Sequence, residues 1–302
     1  MTTATTTIQL TQASIERLPN YKKRTANEWS AACPFCGQGE DRFRFWPAEG
    51  NFWCRRCDTR GFVSDTDTLE FNRDTWLKWQ GQEKERRHQE ELKRLSLLDR
   101  LNRENKTPLY QGQLKDRSFW YDKGLLDETI DWFELGYCPS CPTAPGRESY
   151  TIPVMYLGKL YNIRHRLVNS DDKGKYRPEM AGLPAAMFNA DTLHSPGGYV
   201  TLVEGEVKAM CLEQAGISAI GIPGATCFKS KWLNLFPKTK VVFIALDPGQ
   251  EEQAVNIGHM FKSAGIPARV CRFKVKPDDF LVIGENTKED FMRVLHKGRN
   301  LL

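Results

Sequence analysis

From Val200 onward, short apolar runs alternate with segments of helical period. VTLVEG, SAIGIPGA, KVVFIALDP and ARVCRFKV read as strands. EVKAMCLEQAG and QEEQAVNIGHMFKSAG read as helices, the second ending at Gly265. Such alternation predicts a parallel sheet with crossover helices over residues 199–302. Residues 116–198 are mixed α+β, and there YTIPVMYLGKLYNIRHRLV predicts two strands around a turn at Gly158. Residues 67–115 are charge-rich and glycine-poor, with Leu92, Leu95, Leu98 and Leu101 at helical spacing, which predicts an amphipathic helical connector. Its basic residues read as a solvated helix face. Residues 1–66 are dense in Gly, Pro, aromatics and arginine without a helical period, as in a small β unit held by something other than its own core. The fold class expected is therefore α/β, with a small β domain and a helical connector in front of an α+β core.

Composition narrows the picture only in part. The 302 residues are 40% hydrophobic with a formal charge of +5, enough for a buried core and too mild to choose a partner. No run approaches the roughly 20 apolar residues of a membrane span, and the first residues lack a signal-peptide core. A cytoplasmic protein without a membrane partner is expected. In that setting the nine cysteines read as reduced thiols, with the closely spaced ones held for metal.

Cys33 and Cys36 enclose Pro-Phe, Cys54 and Cys57 enclose Arg-Arg, and seventeen residues separate the pairs. Two such knuckles place four thiolates around Zn²⁺ in a closed shell, which makes the site structural rather than hydrolytic. Between and beside them Arg42, Arg44, Arg55 and Arg56 alternate with Phe43, Phe45, Trp46, Phe52 and Trp53. In strands, one face would pack the ribbon while the other offered arginines to nucleic-acid phosphates. Cys138 and Cys141 form a further C-x-x-C with no second pair nearby, which reads as an incidental or redox-labile knuckle.

The stretch CPFCGQGEDRFRFWPAEGNFWCRRCDTRG resembles the zinc-binding domain of bacterial and phage primases. That resemblance implies a ribbon that helps to select the template sequence at which a primer starts. Four cysteines, where replicative bacterial primases usually have a histidine, point to the phage and mobile-element branch.

SFWYDKGLLDETIDWFELGYCP is similar to the segment leading into the primase polymerase core. By the same match Arg166 and Lys175 take the places of basic residues that contact template or incoming nucleotide. The residues alone say something related. Lys159, Arg164, Arg166, Lys173, Lys175 and Arg177 face only Asp171 and Asp172, a local excess of +4 that suits a phosphate track on a hairpin.

Glu204 and Asp247 close two predicted strands, and Asp278 and Asp279 follow a third. Carboxylates at the carboxyl ends of parallel strands converge on one crevice and suit Mg²⁺, a hard ion that binds oxygen. Residues 198 to about 282 resemble the TOPRIM motif of primases, topoisomerases and related nucleases. The resemblance implies that Glu204 is the general acid or base and that Asp247 is a metal ligand. It matches Asp278 and Asp279 to a late acidic position after Lys-Asp-Pro, here shortened to Lys276-Pro277. Two positions depart from the pattern: Lys208 and Gly249 stand where aspartates are usual, with Glu206, Glu251 or Glu252 as substitutes nearby.

The expectation is a DNA primase that makes short primers on single-stranded DNA from nucleoside triphosphates by metal-dependent nucleotidyl transfer. It would use structural Zn²⁺ and catalytic Mg²⁺ or Mn²⁺, with a replicative helicase or initiator in trans. Two alternatives stay open, a non-catalytic ribbon-and-TOPRIM module that holds DNA for such a partner, and a TOPRIM nuclease. A topoisomerase would need additional tyrosine-bearing domains. No G-x-x-x-x-G-K-[ST] is present for a fused helicase, since GATCFKS at Gly224 lacks the second glycine.

Overall fold

The computed structural model describes residues 10–36, 40–63, 73–169, 174–237 and 240–300, with the side chains of 73–84 and 87 left aside. Gly37, Asp171, Asp172 and Lys173 lie outside the described residues. The chain divides into two compact units, Met1–His88 and Gln89–Leu302.

In the first unit, α1 (Gln12–Glu16) precedes an antiparallel meander of β1 (Lys22–Thr25), β2 (Glu28–Ala31), β3 (Phe43–Trp46), β4 (Asn51–Cys54) and β5 (Arg60–Phe62). Period-2 alternation decides what is buried. Phe43, Phe45 and Phe52 pack inward with Trp29, while Arg44, Trp46 and Trp53 point away from that core. Rings of Phe35, Phe43 and Phe52 stand 5.2 to 6.2 Å apart. This aromatic cluster is too small to be a core for an independent domain without a staple.

A long helix α2 (Arg73–Arg103) crosses the division between the units, and α3 (Thr107–Gln113) follows. The leucine stripe is used at one end only. Leu92 and Leu95 are 45% and 48% exposed, whereas Leu98 and Leu101 pack on Tyr110, Leu160 and Ile163. Asn102 fixes that end by clamping the backbone of Leu160, donating to its carbonyl at 2.8 Å and accepting from its N–H at 2.9 Å.

After α4 (Ser118–Tyr121) and α5 (Asp127–Trp132) comes an antiparallel sheet in the order β6 (Gly136–Cys138), β7 (Ser149–Tyr156), β8 (Lys159–Leu167), β9 (Tyr176–Pro178). The predicted hairpin turn is Leu157-Gly158, both with positive φ, which is the tight-turn geometry that matches strand twist.

The second sheet has the order β11-β10-β12-β13-β14, formed by β10 (Tyr199–Glu204), β11 (Ala219–Ile222), β12 (Val241–Ile244), β13 (Ala268–Val270) and the antiparallel edge strand β14 (Arg299–Asn300). Its strands are apolar on both faces because both are covered. Val203, Phe243 and Ala245 pack with α6 (Glu206–Gln214) and α9 (Lys288–His296). Val200, Leu202, Val242 and Ile244 pack with α7 (Glu251–Ser263). The predicted strand ARVCRFKV is shorter than expected, ending at Val270, and α8 (Pro277–Val282) precedes α9. Among the described residues no helix is long and apolar enough to cross a membrane.

Candidate metal centre and active site

The four ribbon cysteines come together. Cys33 and Cys36 follow β2, Cys54 ends β4, and Cys57 lies in the turn after it, so that all four Sγ atoms lie within 4.8 Å of one another. Cys33 and Cys57 are 3.7 Å apart and Cys36 and Cys54 4.0 Å. Tetrahedral Zn–S bonds of about 2.3 Å place sulfurs about 3.8 Å apart, so the cluster fits a structural zinc ion. Among the described residues no other group of three such side chains forms, and Cys138 and Cys141 are buried.

The ribbon arginines do not form one uniform face. Asp41 Oδ2 gathers Arg24 at 3.2 Å, Arg55 at 3.3 Å and Arg44 at 3.5 Å, and Arg44 also donates to Glu28 at 2.9 Å. Arg44 is thus only 14% exposed and engaged on two sides, whereas Arg42 and Arg56 are exposed. Sequence reasoning missed Asp41 as the hub, since nothing in its spacing sets it apart.

In the second unit, the strand order sets the ends of β10 and β12 side by side. From β10 the chain passes through α6 to β11 on one side, and from β12 through α7 to β13 on the other. The crevice at the carboxyl ends of β10 and β12 is therefore the topological switch point of the sheet, the usual ligand position in such folds. Glu204 is the last residue of β10, and Asp247 lies just past β12. Gly205 makes the turn into α6 at φ +91, and a Cβ on Gly221 of β11 would lie 2.5 Å from the Gly205 carbonyl oxygen. Two glycines let the backbone turn tightly beside Glu204.

Asp278 and Asp279 do not follow a strand directly. They occupy the first turn of α8, where Pro277 needs no N–H partner and acidic side chains meet the positive end of the helix dipole. Burial pushes the Asp278 carboxyl up, and the negative charges of Asp279 and Asp247 push in the same direction against the pull of Lys208. Asp247 and Lys208 are thus among the charges that act on the α8 turn. Asp247 and Asp278 each bury an Oδ1 without a hydrogen-bond partner. An orphaned acceptor of this kind costs about 1–3 kcal/mol unless a donor or cation reaches it, so these residues fit a hard divalent cation.

The two departures have defined places. Lys208, in the first turn of α6, sets its Nζ 3.2 Å from Asp247 Oδ2. Gly249 has φ +86 and its N–H donates to Glu251 at 3.2 Å. Glu206 is no spare ligand either, because it is buried and ion-paired with Arg164.

The basic residues of the hairpin separate between faces. Arg164 and Arg166 alternate with His165 along β8, and opposite them on β9 stand Pro178 and Tyr176, whereas Arg177 is opposite His165. Arg164 lies 4.6 Å from the Tyr176 ring centre, and Arg166 lies 4.5 Å from Phe119, which stacks on Tyr150 at 4.0 Å. Burial, followed by the charge of Glu206, pushes the Tyr176 hydroxyl up to about 12. Lys175 is exposed, and Arg177 folds over Gly174.

On the other side of β8, His165 donates or accepts at Ser149 Oγ (2.9 Å) and Glu179 Oε2 (2.7 Å), and Glu179 also accepts from Lys106 at 2.9 Å and Tyr110 at 3.1 Å. No periodicity marked this buried network. Its members come from α3 and its approach, β7, β8 and the end of β9, positions that only the fold brings together.

No protein-family model matches the chain, and no curated protein matches its sequence. Solved structures do match. The zinc-binding and RNA polymerase domains of Aquifex aeolicus primase align over 93% of this chain and 81% of that one, with a TM-score of 0.56 and 17% identity. A DnaG primase catalytic domain bound to ssDNA aligns over 71% of this chain and 84% of that one, at 0.53 and 17% identity. The RNA polymerase domain of Mycobacterium tuberculosis primase DnaG aligns over 67% and 84%, at 0.52 and 15% identity. The ribbon, the antiparallel sheet and the parallel sheet thus make up the fold of the zinc-binding and RNA polymerase domains of DnaG-type primases.

Proposed function

We propose that this chain is a DNA primase of the phage or mobile-element branch, joining nucleotides on a single-stranded DNA template in the cytoplasm. The observation that carries the reading is the orphaned carboxylate oxygen of Asp247, just past β12 at the switch point of a primase-like fold, with a second orphaned oxygen on Asp278 in α8. Asp247 and Asp278, with Asp279 in α8 and Glu204 at the end of β10, would hold Mg²⁺ or Mn²⁺, which would supply charge neutralisation and hydroxyl polarisation. Within this TOPRIM reading, Glu204 takes the proton of the attacking 3′-hydroxyl as its oxygen bonds to the α-phosphorus and pyrophosphate leaves. Arg166 and Lys175 hold template and triphosphate, with Arg164 steadying the crevice through Glu206, while Arg177, on the opposite face of the sheet, stays outside that track. The ribbon, held by zinc at Cys33, Cys36, Cys54 and Cys57, offers Arg42, Arg55 and Arg56 to template phosphates, with Arg44 bracing that face. A helicase or initiator acting in trans would deliver the template.

The Lys208–Asp247 ion pair favours a second reading, in which a partly neutralised crevice leaves a DNA-holding module for that partner. Incubation with single-stranded DNA, nucleotides and Mg²⁺ or Mn²⁺ separates the two. Short labelled products support the primase, and DNA binding without product supports the module.

A further inference from the structure

The carboxylates around the crevice are unequally available. Glu206 is committed to Arg164, and Glu251 accepts from the Gly249 N–H. Asp247 is divided, with Oδ2 on the Lys208 ammonium at 3.2 Å and Oδ1 buried and unpartnered. Asp278 likewise keeps one buried, unpartnered oxygen. Asp247 and Asp278 are thus each left one oxygen without a partner, and a positive charge fixed by the protein lies on the other oxygen of Asp247.

Lys208 is not placed there by helix energetics. It stands in the first turn of α6, where a cation meets the positive end of the dipole. Its side chain is 14% exposed and that of Asp247 20%, so water screens the pair only partly. Paired metal ions concentrate positive charge within about 3.5–4 Å, and here an ammonium already lies against one oxygen of Asp247.

We propose that Lys208 acts as a built-in cation of the crevice, so that the site takes one divalent ion, through Asp247 Oδ1 and Asp278 Oδ1, where two would otherwise bind. This rests on the reading of the crevice as a cation site.

The test is titration of the zinc-loaded full chain with Mn²⁺, with unbound Mn²⁺ followed by electron paramagnetic resonance. The native protein should bind one Mn²⁺, and Lys208→Arg, which keeps the charge, should match it. Lys208→Met should bind that ion about tenfold more tightly or better, because a neighbouring like charge is gone. Lys208→Asp should add a second equivalent. Thermal melting verifies that each variant is folded, and Lys208→Gln replaces Lys208→Met should the latter fail to fold. Two Mn²⁺ on the native protein, or unchanged affinity in Lys208→Met or Lys208→Gln, overturns the role of Lys208 and leaves the cation site standing. Absence of Mn²⁺ binding in every protein overturns both the inference and the metal-dependent reading.

Discussion

Arg164 and Glu206 form an ion pair that joins the two sheets of the second unit, since Arg164 belongs to β8 of the antiparallel sheet and Glu206 opens α6 of the parallel one. The carboxylate is 3% exposed and the guanidinium also rests on Tyr176. Through this pair the basic hairpin is held against the helix that starts beside Glu204. Glu206→Gln leaves the guanidinium without its counter-charge and should destabilise the unit by about 2–3 kcal/mol, below the usual cost of a broken buried pair because Arg164 is partly accessible. Urea unfolding should show a lower midpoint at unchanged slope; an unchanged midpoint would mean that the pair contributes nothing net.

The His165–Glu179 pair predicts a pH dependence. Burial alone draws His165 down, but hydrogen bonding to Cys138 and Glu179 outweighs it and raises its pKa above the ordinary 6.5. Burial pushes Glu179 up, and His165 and Lys106 outweigh that and lower it below 4.5. A raised histidine stabilises fully below its unfolded pKa and loses that contribution as pH rises through its folded value. A lowered carboxylate stabilises above its unfolded pKa and loses the contribution as pH falls through its folded value. The pair therefore contributes most between about pH 4.5 and 6.5. The melting temperature should fall from pH 6 toward pH 9 more steeply in the native protein than in Glu179→Gln; parallel profiles would rule the pair out as the source.

For the ribbon, one zinc per chain is expected, and Cys33→Ser or Cys57→Ser should release it. Because metal binding supplies most of the folding energy of so small a core, on the order of 10 kcal/mol in comparable peptides, the ribbon should unfold with it. Trp29, Trp46 and Trp53 report this by fluorescence. A zinc content near zero in protein prepared without chelator would refute the assignment.

Arg166→Ala and Lys175→Ala should each weaken single-stranded DNA binding and reduce the slope of log affinity against log salt by about 0.7 per lost phosphate contact. Arg166 lies over Phe119 and Lys175 is exposed, so neither change should alter the fold. Slopes equal to the native one in both variants would assign these side chains to a solvated surface.

Much of this architecture was legible in the sequence because its signals are local. The knuckle spacing marks the thiolate cluster, and the apolar runs ending in Glu204 and near Asp247 mark strands buried on both faces. What was not legible depends on partners distant in the chain. Arg164 and Arg166 read as members of one basic track with Arg177, but the register turns Arg177 to the other face. Asp278 read as a strand-end residue because RVCRFKV is apolar enough to continue β13, yet Pro277 starts a helix there. The commitment of Glu206 to Arg164, and of Arg44 to Asp41 and Glu28, could come only from tertiary contacts.

Nucleotidyl transfer is proposed for the crevice at Glu204 and Asp247. Glu204→Gln and Asp247→Asn keep side-chain size and remove one charge each, so DNA binding by the hairpin and ribbon should persist while catalysis is lost. The decisive measurement is synthesis of short labelled primers on single-stranded DNA with Mg²⁺ or Mn²⁺ by the native protein and both variants, with DNA affinity measured in parallel. The native chain should give product, either variant at least a hundredfold less, on the order of 3 kcal/mol of transition-state stabilisation, and all three should bind DNA with similar affinity. Product formed equally well by Asp247→Asn, or none from the native chain with either metal while DNA binding persists, would contradict nucleotidyl transfer at this crevice.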